Sequence, residues 1–216
     1  LLPMDEAQTN HLRAYGLTYR VLKKKTGARA DWLLNYRGGA FLLPDRSWVR
    51  RSAKLKGIKF EPISGQQVKS LTAKFKKQNR RRVPLEKAPE IAIYTPPGKD
   101  PWDDAVTLAL TYADIPFDKV YDKAVLNGEL SEYDWVHLHH EDFSGQYGKF
   151  YASYRNSPWY LEKVEKARER ARQLGYDSVQ KEKKAVAGKI AEYVREGGFL
   201  FAMCSAPETL DLALAT

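Results

Sequence analysis

The chain has 216 residues, of which 43% are hydrophobic and 29% are charged. This composition is typical of a globular protein, and the length allows one domain or at most two small ones. No window approaches the roughly 18 consecutive apolar residues of a membrane-spanning helix, so no transmembrane segment is expected in this chain. The single cysteine excludes an internal disulfide.

The formal charge of +9 has a strong local source in Lys74, Lys76, Lys77 and residues 80–82. A basic run can bind phosphate groups or acidic polymers. The run contains Phe75, but it lacks the alternation of aromatic and basic residues that stacks bases. We interpret the run as a solvated helix end, and nucleic acid is not the expected partner.

The first part of the chain alternates amphipathic stretches with short apolar runs. This pattern predicts helices over 7–24, 45–56 and from Ser64 to the basic run, and strands over 30–36 and 58–61. At residues 83–89 two prolines flank a charged loop, which indicates a seam inside what we interpret as a single α/β domain over 1–216.

The second part repeats the same rhythm. It predicts strands over 90–94, 116–121, 133–140 and 199–203, and helices over 102–113, 158–174 and 178–196. Strands that alternate with helices of ten or more residues imply parallel pairing with right-handed crossovers. The predicted architecture is therefore a flavodoxin-like, three-layer α/β sandwich with a mainly parallel sheet.

Cys204 follows the apolar run 199–203, which predicts a strand buried on both faces. Reactive groups gather at the carboxyl ends of such strands, and the helix expected from Pro207 onward would favour the thiolate form. The G-x-C-x-G pattern of a nucleophile turn is degraded here, because Ala202 and Ala206 replace the glycines. The alternative is a buried cysteine that packs as a small hydrophobic residue.

Residues 137–142 hold three of the four histidines of the chain. On a strand, His137 and His139 project to one face and His140 to the other. His139 or His140 can serve as a general base for Cys204, because both segments end at the same edge of the sheet. The alternative for His137 is a hydrogen-bonded position in the core.

The same segment has a metal-binding alternative. Histidines two residues apart, followed by Glu141 or Asp142, are residue types that bind zinc. No second ligand cluster with a recognised spacing occurs elsewhere, so we predict neither a metal nor another cofactor. A pocket-lining role for His139, His140, Glu141 and Asp142 is the preferred interpretation.

Residues 143–156 form a polar and aromatic stretch with two early glycines. This composition suits a mobile loop that closes over a ligand, and it equally suits an excursion folded over the sheet edge. Neither G-x-G-x-x-G nor G-x-x-x-x-G-K-[ST] occurs, so nucleotide binding by those loops is not expected. From the loops after the strands we predict ligand contacts by Asn35, Arg37, Trp102, Asp103, Asp142, Gln146, Tyr147, Tyr151 and Arg155.

Six blocks spread over nearly the whole chain carry a family resemblance. They are NHLRAYG (10–16), DWLLNYRGG (31–39), PWDDAVTLALTYA (101–113), HLHHEDF (137–143), GQYGKFYASYRN (145–156) and GFLFAMCSA (198–206). In these blocks the chain resembles a family of exported Bacteroidetes proteins labelled "asparagine synthetase B". The resemblance implies an exported protein, periplasmic or in the cell envelope, and a precursor that continues beyond Thr216.

The label implies amide transfer to aspartate, but the S-G-G-x-D-S pyrophosphate loop of glutamine-hydrolysing asparagine synthetases is absent. Cys204 instead resembles the nucleophile turn of class I glutamine amidotransferases, which share the flavodoxin-like fold. In that family the catalytic His and Glu follow the cysteine by many residues. Here twelve residues follow it, none of them His. The partners therefore lie beyond Thr216, or His139 or His140 replaces them with Glu141 nearby, or the site is inert.

These observations favour an exported amidotransferase-like domain that hydrolyses or transfers an amide at a cysteine-based site. One alternative is a non-catalytic component of the cell envelope that binds a small molecule or a protein. The other is a metal-dependent hydrolase built on His137, His139 and Glu141.

Overall fold

The chain divides into two compact units. The computed structural model describes residues 1–24, 29–97, 105–145 and 148–215. Unit 1 comprises residues 1–88 and 104–116, and unit 2 comprises residues 89–103 and 117–216. The boundary between residues 88 and 89 lies at the end of the stretch predicted as a seam.

Unit 1 is built on a small antiparallel sheet. Its helices are α1 (His11–Lys23), α2 (Ser47–Leu55), α3 (Gly65–Ala73) and α4 (Ala105–Ala113), and its strands are β1 (Ala30–Leu34), β2 (Ala40–Leu42) and β3 (Arg81–Leu85). The strand order is β2-β1-β3, and both pairings are antiparallel. The predictions of a strand at 58–61, of a loop throughout 83–89 and of parallel strands in this half are wrong.

The turn between β1 and β2 explains the antiparallel pairing. Five residues connect the strands, and Asn35, Arg37, Gly38 and Gly39 all have a positive φ. A connection this short reverses the chain, whereas a parallel pair needs a crossover of a dozen or more residues. Gly38 is required because a Cβ there would lie 2.2 Å from the carbonyl oxygen of Met4.

Side-chain caps start two of the helices of unit 1, α1 and α3. The side chain of Asn10 accepts the N–H of Arg13 at the start of α1. Ser64 and Gln67 form a reciprocal capping box at the start of α3. The predicted helix starting at Ser64 therefore exists, but its regular part ends at Ala73, before the basic run.

Unit 2 contains the parallel sheet that the sequence predicts. Its strands are β4 (Ile91–Tyr94), β5 (Asp118–Val120), β6 (Trp135–Leu138) and β7 (Phe199–Ala202), and its helices are α5 (Asp122–Leu126), α6 (Gly148–Tyr154), α7 (Pro158–Gln173), α8 (Val179–Arg195) and α9 (Ala206–Ala215). The order is β5-β4-β6-β7, and every pairing is parallel. In order along the chain this is 2-1-3-4, which is compatible with a flavodoxin-like fold. The α/β class with a parallel sheet is thus confirmed for this unit.

β7 lies at an edge of the described sheet, with β6 as its neighbour. Phe199 is 61% exposed and Phe201 is 41% exposed, whereas Leu200 packs against the core. The prediction of a strand buried on both faces is therefore wrong. The structure also has helix α6 in the stretch 143–156, where the sequence predicts a loop, and Phe143 is buried against Tyr94.

The core of unit 2 combines the sheet with the buried face of α8. Val136, Leu138, Val186 and Ile190 are among its fully buried members. Among the described residues, no helix is both long enough and apolar enough to cross a bilayer. The packing of the sheet against α8 holds the ends of β6 and β7 in place, and with them the residues that follow these strands.

Candidate functional site at the ends of β6 and β7

The chain leaves β6 and β7 at the same edge of the sheet. Leu138 is paired with Ala202, and the backbone N–H of Met203 donates to the carbonyl of Leu138 at 3.0 Å. One turn later, the N–H of Ala206 donates to the carbonyl of His139 at 3.2 Å. The structure therefore brings the histidine-rich segment and the cysteine turn together, as the strand positions predict.

Cys204 is exposed and has a φ of +58°. This left-handed conformation is costly for a residue with a Cβ, by roughly 1–2 kcal/mol. Cys204 lies in a strand-to-helix turn, two residues before α9 begins, where nucleophile elbows hold their reactive side chain outward. Strained residues of this kind concentrate at functional sites.

The turn around Cys204 is fixed by the carbonyl groups of the histidine-rich segment. The hydroxyl of Ser205 donates to the carbonyl of His140 at 3.3 Å, and that of Thr209 donates to the carbonyl of Glu141 at 3.0 Å. The backbone N–H of Ser205 donates to no residue that the structure describes. An unused amide directly after the cysteine is the kind of donor that stabilises an oxyanion.

The three histidines have different environments. His137 is buried, and its Nδ1 donates to the carbonyl of Phe201 at 3.0 Å. Its ring also stacks on the Phe201 ring, so His137 connects β6 to β7. His139 and His140 are partly exposed, and their Nδ1 atoms lie 2.8 Å apart. The Cys204 sulfur makes no hydrogen bond within the described part of the chain. A hydrogen bond between the thiol and an imidazole of the described residues is therefore not formed in this conformation.

The acidic residues after the histidines support the backbone. Glu141 is buried, and its Oε2 accepts the N–H of His140 at 3.2 Å. Asp142 accepts both the N–H and the hydroxyl of Ser144, which closes a local turn. Across residues 1–24, 29–97, 105–145 and 148–215, no group of three or more His, Cys, Asp or Glu side chains could hold a metal ion. The metal-dependent alternative therefore has no ligand set there.

Two of the predicted ligand-binding residues line a cavity elsewhere in unit 2. Tyr151 and Arg155 face a cavity of about 960 Å³, together with Tyr160, Arg168 and residues around the start of α8. Neither Cys204 nor the histidines are among its described lining residues. By its described lining, this cavity is therefore separate from the cysteine site.

The remaining predicted ligand contacts separate into two groups. Asn35 and Arg37 belong to unit 1: Asn35 donates to the carbonyl of Asn79 at 2.9 Å, and Arg37 forms ion pairs with Asp5 and Glu61 at 2.7 and 2.6 Å. The two carboxylates raise the pKa of Arg37. Asn35 and Arg37 therefore both have a structural role in the turn. Trp102, Asp103, Gln146 and Tyr147 lie outside the described residues.

The chain was compared with protein-family models, curated proteins and solved structures. None of them matches. The site must therefore be interpreted from its own geometry.

Sequence reasoning missed a buried polar network behind the ends of β4 and β5. Lys183 Nζ donates to both carboxylate oxygens of Asp122, at 2.8 and 3.0 Å, and lies 2.8 Å from the hydroxyl oxygen of Tyr94. Arg170 lies 2.8 Å from Asp122 and 3.2 Å from Glu182. Two carboxyl groups and two cations are thus packed together inside unit 2.

Burial and mutual repulsion set the protonation of this network. Burial and the neighbouring Asp122 raise the pKa of Glu182 to about 7. Burial opposes ionisation of Asp122 as well, but Lys183 and the hydroxyl of Tyr94 hold the pKa of Asp122 below its usual value. Asp122 is therefore the charged carboxylate, and Glu182 is the one that titrates near neutrality.

A signal for this network exists in the sequence. The buried residues of α8 include Val179, Val186 and Ile190, which follow a helical stripe, and Glu182 and Lys183 occupy positions on that stripe. Charged residues on the apolar face of a helix indicate a buried ion pair. The partner Asp122 could not be identified, because its position depends on the sheet order.

Proposed function

We propose that unit 2 is an amidotransferase-like domain in which Cys204 attacks the carbonyl carbon of an amide. The observation that carries this proposal is the exposed Cys204, with its left-handed backbone, at the turn between β7 and α9. The neighbouring histidine pair and the N–H of Ser205, which has no acceptor among the described residues, supply the other groups that amide cleavage requires.

The chemistry uses four groups of this chain. An imidazole of His139 or His140 accepts the thiol proton, and the thiolate of Cys204 forms a bond to the amide carbon. The N–H of Ser205 donates to the oxygen on which negative charge develops. The C–N bond then breaks, the imidazolium returns the proton to the leaving nitrogen, and water or an acceptor amine releases the acyl group from sulfur. Glu141 positions the pair through the backbone N–H of His140.

A flavodoxin-like, class I amidotransferase-like fold and an exported location belong to the same proposal. The 2-1-3-4 order of parallel strands supports the fold. The location rests on the resemblance to the exported Bacteroidetes family. Synthesis of asparagine is not proposed, because the sequence lacks the S-G-G-x-D-S loop.

The test uses L-glutamine and L-asparagine as amides and measures ammonia release by a coupled assay. A diazoketone analogue of glutamine, followed by intact mass, reports covalent capture of Cys204. We expect Cys204→Ala to lose turnover by at least about a thousandfold and to abolish capture. His139→Ala or His140→Ala should lower turnover by about a hundredfold or more.

His11→Ala is the matched control, because His11 is an exposed histidine of unit 1. It should leave turnover unchanged. Equal ammonia release by the parent protein and Cys204→Ala would contradict the proposal. Absence of both ammonia release and capture in the parent protein would also contradict it.

The second candidate is a non-catalytic binding component of the cell envelope. It is favoured by the lack of a hydrogen bond to the Cys204 sulfur among the described residues, and by the separate cavity at Tyr151 and Arg155. Failure of both the turnover and the capture assays would leave this candidate.

A further inference from the structure

Unit 1 contains a cavity that the proposed function does not use. Its volume of about 580 Å³ falls within the range of roughly 300–1,000 Å³ typical of small-molecule sites. The cavity lies among β2, α2, the segment 60–63 and the start of α3. Its apolar lining includes Leu2, Leu42, Val49, Phe60, Ile63 and Val68.

The polar residues of the same cavity have an excess of positive charge. Each acidic lining residue has an arginine partner, in the pairs Asp31–Arg82 at 2.7 Å, Asp45–Arg50 at 3.1 Å and Glu61–Arg37 at 2.6 Å. The cations Arg29, Arg46 and Lys69 also line the cavity, and none of them has an ion pair with a described residue. These three charges are available to a ligand.

Helix α2 adds a second source of positive potential at this cavity. Its N-cap is Arg46, no side chain caps its first turn, and that turn contains no acidic residue. The first N–H groups of a helix carry partial positive charge and donate hydrogen bonds to anions. Asp45, Arg46 and Val49 all line the cavity, so this helix end adjoins it.

The charge of the whole unit agrees with this local picture. Unit 1 contains 21 Lys and Arg residues against 8 Asp and Glu residues, a net +13. Unit 2 contains 15 against 19, a net −4. The basic character of the chain therefore belongs to the unit that holds the cavity, and it favours anionic ligands there.

We infer that this cavity binds an amphipathic anion, an aliphatic chain that ends in a carboxylate. The carboxylate lies at the start of α2 with Arg46 and Lys69, and the chain covers the apolar lining of Leu42, Val49 and Val68. Burial of the chain supplies most of the affinity, and the cations select a charged head group. The site is independent of Cys204.

Isothermal titration calorimetry with decanoate, decanol and acetate tests this inference. We expect decanoate to bind with a stoichiometry of one, decanol to bind at least about tenfold more weakly, and acetate to show no binding. The charge-neutralising double variant Arg46→Gln/Lys69→Gln should weaken decanoate by about tenfold or more and leave decanol unchanged.

Lys54→Gln is the control, because Lys54 is an exposed cation of α2 outside the cavity lining. It should bind decanoate like the parent protein. Val68→Trp fills the cavity from a half-buried position and should abolish binding of both decanoate and decanol. The double variant, by contrast, should still bind decanol.

Three results would overturn the inference. The first is no decanoate binding by the parent protein, and the second is equal affinity for decanoate and decanol. The third is binding of several decanoate molecules that Val68→Trp does not reduce, which would indicate adsorption to the surface.

Discussion

Glu182 has an unusual setting for a carboxyl group. It is fully buried on α8, next to the ionised Asp122, and its pKa of about 7 lies above the ordinary value of 4.5. The folded protein therefore holds this proton through a range of pH in which the unfolded chain has released it. The stabilisation from the bound proton is complete below about pH 4.5 and is lost as the pH rises through about 7.

The pH dependence of stability tests this assignment. Between about pH 5 and about pH 8, we expect the free energy of unfolding, measured with urea, to fall by on the order of 1–3 kcal/mol because of Glu182. Glu182→Gln should show a flatter profile, because the amide keeps the shape and cannot ionise. The exposed Glu192→Gln on the same helix is the control and should keep the parent profile. Identical profiles for Glu182→Gln and the parent protein would rule out this role.

The sequence predicts where Cys204 lies but not how its backbone turns. An apolar run followed by Pro207 is sufficient to locate the end of a strand and the start of a helix. The φ of +58° depends on the hydrogen bonds from Met203 and Ala206 to the end of β6 and the residue after it, which are sixty or more residues away along the chain. The degraded glycine pattern therefore gives no signal for a left-handed cysteine.

At the scale of elements, strand β7 illustrates what periodicity leaves open. A run of apolar residues is compatible with a central strand, and neighbours across the sheet decide whether both faces are covered. The described sheet ends at β7, so Phe199 and Phe201 are exposed. The sequence predicts helices α7 and α8 to within a few residues, because Pro158 and Ser178 start them and their patterns are long.

The packing of α1 against α4 depends on one glycine. A Cβ on Gly16 would lie 1.7 Å from the carbonyl oxygen of Ala113, so the two backbones approach too closely for any side chain. A Cβ on Gly188, in the interior of α8, would meet no neighbouring atom within 4 Å. A Cβ therefore has no room at Gly16, whereas it has open space at Gly188.

We expect Gly16→Ala to destabilise the protein by about 2 kcal/mol or more, since a backbone shift between α1 and α4 is required. Gly188→Ala should stabilise it by about 0.5–1 kcal/mol through helix propensity alone. Chemical denaturation of both variants measures the difference. A neutral Gly16→Ala would mean that α1 and α4 do not approach this closely.

At the scale of the whole molecule, the division into units could not be predicted from the order of elements. Segment 104–116 belongs to unit 1 although it follows β4 of unit 2, because α4 packs on α1. The alternation of strands and helices along the chain does not indicate that the chain goes back to unit 1 after β4. The seam at 83–89 is the one local indication in the sequence, and it lies beside one of the boundaries.

Each unit has its own hydrophobic core, and core substitutions should distinguish them. Leu17 is fully buried in unit 1, and Ile190 is fully buried in unit 2. Truncation of either side chain to alanine costs about 2–5 kcal/mol through lost burial and the cavity left behind. If each core supports its own unit, the loss will remain local in native-state hydrogen exchange.

Hydrogen exchange with mass spectrometry on the two variants makes this prediction specific. Leu17→Ala should lower protection in peptides that cover α1, β1 and α4 and leave β4 and β6 as protected as in the parent protein. Ile190→Ala should do the reverse. A uniform loss of protection in both units from either substitution would show that the chain unfolds as one cooperative body, whereas the reciprocal pattern requires two separately stabilised cores.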